Sequence, residues 1–230
     1  MSSLDLRTQS CVVVPALDAE RSVGEVVLGA RMQAAHVIVV DDGSSDATAA
    51  RASEAGAEVL RHGRNRGKGA ALASGLSRAR SLGYAIALTL DADGQHPPAE
   101  LAKLLAASDD PGALVLGVRD LAGAGAPRAN RMSNGFANGF LSMVTRLRLR
   151  DTQCGMRRYP IASTLSLGVR DERFGFETEV ILRARRAGMR IVQVPIEVLY
   201  PADRSTHFDA RRDPWRIVGR VLRTLARDLV

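Results

Sequence analysis

Aromatic residues make up only 4% of this 230-residue sequence, and cysteine occurs twice. A core with so little aromatic bulk has to be assembled from the aliphatic side chains and alanines that dominate the 46% hydrophobic content, a composition typical of α/β proteins. Cys11 and Cys154 stand far apart and lack the cysteine and histidine company of a zinc or disulfide framework, so both read as buried thiols. There is no run of 18 apolar residues, and the amino terminus has no apolar segment of signal-peptide length. A cytoplasmic location is expected. With no internal repeat and no linker-like stretch, residues 1–230 are expected to form one domain.

What the sequence has in excess is positive charge, at a formal net of +7. Its placement matters more than its size. Residues 119–158 carry eight arginines against two aspartates, and residues 211–230 carry six against two, so the remainder is net acidic. Such clustering points to a phosphate-bearing partner: nucleic acid, anionic lipid or a phosphorylated substrate.

Apolar runs at 10–15, 36–42, 57–60 and 84–90 alternate with helical patterns over 22–34, 45–56 and 68–82. Strands that are apolar almost throughout, in a β-α-β-α-β-α-β rhythm, predict a mostly parallel sheet with helices on both faces. In such sheets the ligand lies at the carboxyl ends of the strands. The segments 15–18, 41–44 and 91–96 all fall at strand exits, so they should converge on one rim. Further along, a strand over 113–117, a helix over 130–148, strands at 190–194 and 197–200, and a final helix from Asp213 and Pro214 are expected.

Asp91 and Asp93, one residue apart at the end of an apolar strand, offer oxygen ligands of the kind that Mg²⁺ or Mn²⁺ takes, with water and substrate phosphates completing the shell. An acidic turn capping the segment from Pro97 is the alternative. Lys68 opens a helix after Arg66 and Gly67, so its ammonium and the free amides there face either a diphosphate or solvent. His36, His62 and His96 read as structural or exposed.

The segments VVVPALDAE (12–20), VDDGSSD (40–46), NRGKGAAL (65–72) and DADGQHPP (91–98) stand in the order and spacing of the family 2 glycosyltransferases. Within that family the chain resembles the dolichyl-phosphate mannose synthase and dolichyl-phosphate glucosyltransferase group, over roughly residues 10–200. The resemblance implies the GT-A fold and an inverting transfer from a nucleotide diphosphate sugar to a polyprenyl phosphate. It places Pro15 and Ala16 in the nucleotide pocket, Asp42 and Asp41 on the base or ribose, and Asp91, Asp93 and Gln95 on the metal and diphosphate. Ala19 falls where many members carry a glutamate, which leaves Glu20 as the substitute. Arg119, in Gly-Val-Arg, would approach the acceptor phosphate together with Arg128 or Arg131. Residues 151–157 (DTQCGMR) resemble the glucosyltransferase branch, whereas Gln95-His96 resembles the mannose synthases. Arg204, followed by Ser-Thr-His207-Phe, resembles the loop arginine that closes over the donor diphosphate.

The last helix, over about 213–229, sets Arg216, Arg220, Arg223 and Arg227 on one stripe and Val218, Val221, Leu222, Leu225 and Leu229 on another. It reads either as a packing helix or as one lying in the interface of an anionic membrane, which would place the protein peripherally on the inner membrane face. Two rival functions have less support. A sugar nucleotidyltransferase would carry a Gly-rich triphosphate-binding segment near its amino terminus. A nucleic-acid binder would interleave aromatics with its arginines. No nucleic-acid partner is expected.

Overall fold

A computed structural model describes residues 3–172 and 175–199, together with Gly219. Seven strands form one sheet in the order β3-β2-β1-β4-β6-β5-β7. They are β1 (Ser10–Ala16), β2 (Val37–Asp41), β3 (Glu58–Arg61), β4 (Ile86–Thr89), β5 (Leu114–Arg119), β6 (Arg157–Pro160) and β7 (Ile191–Ile196). Only β6 runs antiparallel to its neighbours. The carboxyl ends of the other six therefore share one edge, and the segment that enters β6 approaches from that same edge.

Because side chains alternate across a strand, β1 feeds two cores. Val12 and Val14 pack with Val23, Val26, Val27 and Ala30 of helix α2 (Val23–Arg31) on one face. Cys11 and Val13 pack with Leu72 and Leu76 of α4 (Lys68–Ser81) on the other. Both faces of the strand are dry, which is why its sequence is apolar without alternation. Helices α1 (Ser3–Thr8), α3 (Thr48–Glu54), α5 (Leu101–Ala106), α6 (Arg128–Thr145), α7 (Ile161–Ser166) and α8 (Phe176–Arg186) and a 3-10 turn at Pro98–Glu100 complete the described elements.

The parallel half follows the sequence reading closely, and the second half departs from it. The helix expected over 130–148 starts at Arg128 and stops at Thr145, where Arg146 takes a left-handed φ of 56°. The strand expected over 197–200 is absent over 197–199. That segment is instead tied to the rim: Leu199 N–H donates to the Gln95 carbonyl at 2.8 Å and Glu197 N–H to Glu100 Oε2 at 3.0 Å. Strand β6 was not anticipated at all, since two adjacent arginines do not read as a buried strand. Both are fully buried. Arg157 donates to the carbonyls of Cys154 (2.9 Å), Glu177 (2.8 Å) and Thr152 (2.8 Å). Arg158, on the opposite face, donates to those of Leu105 (3.1 Å), Ser108 (2.7 Å) and Asp110. Two of the eight arginines counted above as a basic cluster are thus structural cross-links.

Candidate active site

The motif residues at the strand exits do meet along the shared edge, where two adjoining cavities of about 420 and 350 Å³ have Pro15, Leu17, Asp91 and Asp93 in common. The first is otherwise lined by Asp18, Ala19, Glu20, Arg21, Ser22, Asp46 and Ala92, the second by Ala16, Asp42, Asn65, Gly67, Lys68 and Ala71. Both volumes lie in the range of ligand sites.

Asp91 leaves β4 directly into this cleft and holds a cation already. Lys68 Nζ lies 2.6 Å from Asp91 Oδ1 and 2.8 Å from Glu177 Oε1. Burial alone would favour a neutral carboxyl at Asp91. The adjacent Lys68 charge outweighs it and holds the group below the usual carboxylate range. Burial likewise disfavours the Lys68 ammonium, but Asp91 and Glu177 raise its pKa well above the ordinary lysine value. Lys68 is therefore the positive centre of a buried triad rather than a solvent-exposed first-turn lysine, and Glu177 is its second anion.

Asp42 builds the wall of the second cavity. Its Oδ1 accepts from His62 Nδ1 (2.6 Å) and Arg66 N–H (3.0 Å), its Oδ2 from Gly67 N–H (2.6 Å). A carboxylate has about four acceptor positions, so little of Asp42 is left for a ligand. Gly67 caps α4 with a φ of 104°, a conformation that favours glycine. Asp41 is fully buried, bonded to Ser44 N–H (2.8 Å) and paired with Arg61 (3.2 Å), and lines neither cavity. Glu20 does line the first; its Oε2 accepts Ala47 N–H at 3.0 Å. Next to it, Asp18 takes a left-handed φ of 47° and accepts Ser45 N–H at 2.9 Å, locking the 17–22 loop to the start of α3.

Asp93 accepts Gln95 N–H at 3.0 Å, which turns the chain after the acidic pair. Gln95 lines neither cavity. Among the described residues no three His, Cys, Asp or Glu side chains gather as a cation cage. The residues fit a divalent ion nonetheless: two cleft carboxylates supply hard oxygen donors, and the ammonium on Asp91 stands in for a cation. Mg²⁺ is commonly held by only one or two carboxylates and the substrate's phosphates.

The 151–157 segment, marked in the sequence by resemblance, reaches Asp91 through Gly155. Asp151, fully buried, pairs with Arg119 through two contacts, Nε to Oδ2 at 2.6 Å and Nη2 to Oδ1 at 3.1 Å. Arg119 is largely buried and its charge is offset, whereas Arg128 and Arg131, in the first turns of α6, are exposed. Cys154 Sγ sits 3.6 Å from His96 Nε2. Burial pushes the Cys154 thiol up to about 12, and burial lowers His96, so the contact joins a thiol and a neutral imidazole. Both cysteines are indeed buried and free. A Cβ on Gly155 would lie 2.5 and 2.6 Å from the two Asp91 oxygens. Asp151 and Gly155 lie in the 151–157 segment that the resemblance marked, and Glu177 in the FGFETE segment (174–179) that reads as structural or sugar-orienting, but their partners lie far away in sequence and were not legible there. Arg204, His207 and the arginines of the last helix lie outside the described residues.

Known proteins resemble this chain in sequence and in fold. The polyprenol monophosphomannose synthase of Mycolicibacterium smegmatis is 31% identical over 173 residues, 70% of this chain and 65% of that protein. The undecaprenyl-phosphate mannosyltransferase of Micrococcus luteus is 31% identical over 171 residues, 70% of each. The glucosyl-3-phosphoglycerate synthase of Mycobacterium tuberculosis, solved with Mn²⁺, UDP and glucosyl-3-phosphoglycerate, matches at a TM-score of 0.75 and 19% identity. That match covers 97% of this chain and 84% of that one, and is a likeness of GT-A fold. The description "Glycosyl transferase family 2" matches residues 11–165, two-thirds of the sequence including the whole rim motif, and the chain belongs to that family.

Proposed function

We propose that this transferase moves a hexose from a nucleotide diphosphate sugar to a polyprenyl phosphate, inverting the anomeric carbon. The observation that carries the reading is the cleft of Asp91, Asp93 and Lys68 at the carboxyl edge of the sheet. The names of the two mannosyl relatives support the acceptor class.

In this scheme the donor nucleotide lies against Pro15, Ala16 and the Asp42 wall, with its diphosphate toward Asp91 and Asp93. Those two carboxylates would hold Mg²⁺ or Mn²⁺, which supplies charge for the departing diphosphate. Lys68 adds a second positive charge at the start of α4, where helix amides also face the phosphates. An oxygen of the acceptor phosphate attacks the anomeric carbon while the bond to the nucleoside diphosphate breaks. That oxygen is already ionised at neutral pH, so no general base is required, and Glu177 is left to orient Lys68. Arg128 and Arg131, with Arg119 fixed by Asp151, bind the acceptor phosphate. Positioning and charge supply most of the rate.

The test is thermal stabilisation by GDP-mannose, UDP-glucose and UDP-N-acetylglucosamine with and without Mn²⁺, followed by transfer to a prenyl phosphate. One donor should stabilise the protein in a metal-dependent way and give prenyl-linked sugar. Donor hydrolysis or transfer to another acceptor, with no prenyl product, would overturn the acceptor assignment.

A further inference from the structure

Helix α6 carries apolar side chains on its outward face as well as on its inward one. On a water-soluble body the apolar stripe of a helix faces inward and the polar face meets water. Ala137 and Leu141 do reach the core, but Ser133, Asn134 and Thr145 are buried beside them. Asn134 Nδ2 donates to Asp151 at 3.2 Å, and Asn138 Oδ1 accepts from Thr152 N–H at 2.8 Å. The outward face instead carries Met132, Phe136 and Met143, which are 72%, 44% and 68% exposed. Steps of four and seven put them on one stripe.

Charge identifies what this stripe fits. Between residues 121 and 150 there is no aspartate or glutamate, and all five arginines there are exposed: Arg128 and Arg131 at one end of the helix, Arg146, Arg148 and Arg150 beyond the other. We propose that this face of α6 lies in the headgroup region of an anionic bilayer. Met132, Phe136 and Met143 enter the acyl boundary, and Arg146, Arg148 and Arg150 meet the headgroup phosphates of the bilayer. The chain's own carboxyl-terminal segment is a poorer occupant: residues 211–230 carry six arginines against two aspartates and would be repelled. A second copy of the chain meets the same repulsion. The inference rests on the reading of a lipid-borne acceptor, which stays in a bilayer, but it concerns a surface outside the cleft.

The experiment is co-sedimentation of the full chain with vesicles of phosphatidylglycerol and phosphatidylcholine, or of phosphatidylcholine alone, at low and high salt. The wild type should bind the anionic vesicles and be released by salt. The triple variant Met132→Gln, Phe136→Gln, Met143→Gln should lose on the order of tenfold or more in partition, with unchanged melting temperature and unchanged stabilisation by the nucleotide sugar. A triple variant that binds as the wild type does would overturn the proposal. So would a wild type that ignores anionic vesicles, and a lowered melting temperature in the variant would then show the stripe to be covered by protein. Transfer to a short, water-soluble prenyl phosphate separates the two ideas. Activity there without vesicle binding removes the docking surface alone. Vesicle binding without transfer to any prenyl phosphate supports the surface and removes the acceptor reading alone.

Discussion

At Asp91 a carboxylate is squeezed between an ammonium 2.6 Å away and the bare backbone of Gly155. The first contact sets its charge and the second its position, because a methyl group at 155 would overlap both carboxylate oxygens. We expect Gly155→Ala to cost about 1–3 kcal/mol, the range for overpacking a tight site, and to weaken donor binding further by displacing Asp91. Urea unfolding and calorimetric donor titration on one variant measure the two effects; normal donor affinity would mean that Asp91 has room to move. Asp93 differs, being half-buried and accepting the Gln95 N–H of its own turn. Asp93→Ala should leave the melting temperature within a few degrees and abolish the Mn²⁺-dependent part of donor stabilisation. Full metal-dependent stabilisation in that variant would exclude Asp93 as a ligand.

Strand β6 is the element on which the site hangs, and two arginines hold it. Arg158 satisfies three carbonyls around the end of α5 with a planar fork that an ammonium cannot reproduce. Arg158→Met should destabilise the protein by on the order of 3 kcal/mol through unpaired buried carbonyls, and Arg158→Lys should recover little of it. Chemical unfolding compares the two, and equal stability in all three proteins would mean that water replaces the fork. At the opposite edge, Glu58 ties β3 to α4 through Arg78 (2.5 Å) and to His36 (2.9 Å), which stacks on Tyr84. Burial would raise the Glu58 carboxyl, but Arg78 and His36 outweigh it and hold it low. A depressed carboxyl contributes stability above its unfolded value, about 4.3, and loses it as pH falls through the folded value. Glu58→Gln should therefore lower stability at neutral pH and flatten its decline below about pH 4. Parallel stability curves for the two proteins would assign no linkage to this pair.

Across the whole molecule, positive charge is distributed more selectively than the sequence count implies. Arg119, Arg157 and Arg158 are committed to Asp151 and to carbonyls, so the exposed charge of the 119–158 region comes down to the five arginines flanking α6. Among the described residues no helix is long and apolar enough to cross a membrane. We propose that Arg216, Arg220, Arg223 and Arg227, which lie outside the described residues and which the sequence spaces at helical intervals, provide a second electrostatic contact. Replacing those four with glutamine should reduce sedimentation with anionic vesicles and slow transfer to a long-chain prenyl phosphate, while sparing a short soluble one. Equal impairment on both acceptors would assign the stripe to packing or to the donor site instead.

The sequence by itself determined the parallel half of the sheet and the rim that carries the motifs. Strands buried on both faces leave an unbroken apolar run, and motif residues at strand exits must share an edge if the strands are parallel. Only the tertiary structure decided which charges remain available. Arg157 and Arg158 read as solvated because backbone carbonyls leave no mark in the sequence as acceptors; those that Arg158 meets arrive from as far as 53 residues away. Asp151 likewise meets Arg119 across 32 residues. Lys68 was readable as a helix-start cation, yet its resting partners, Asp91 and Glu177, come from a strand exit and from α8. Burial makes such pairings obligatory, since an ion taken out of water must find its counter-charge or carbonyls wherever the fold supplies them.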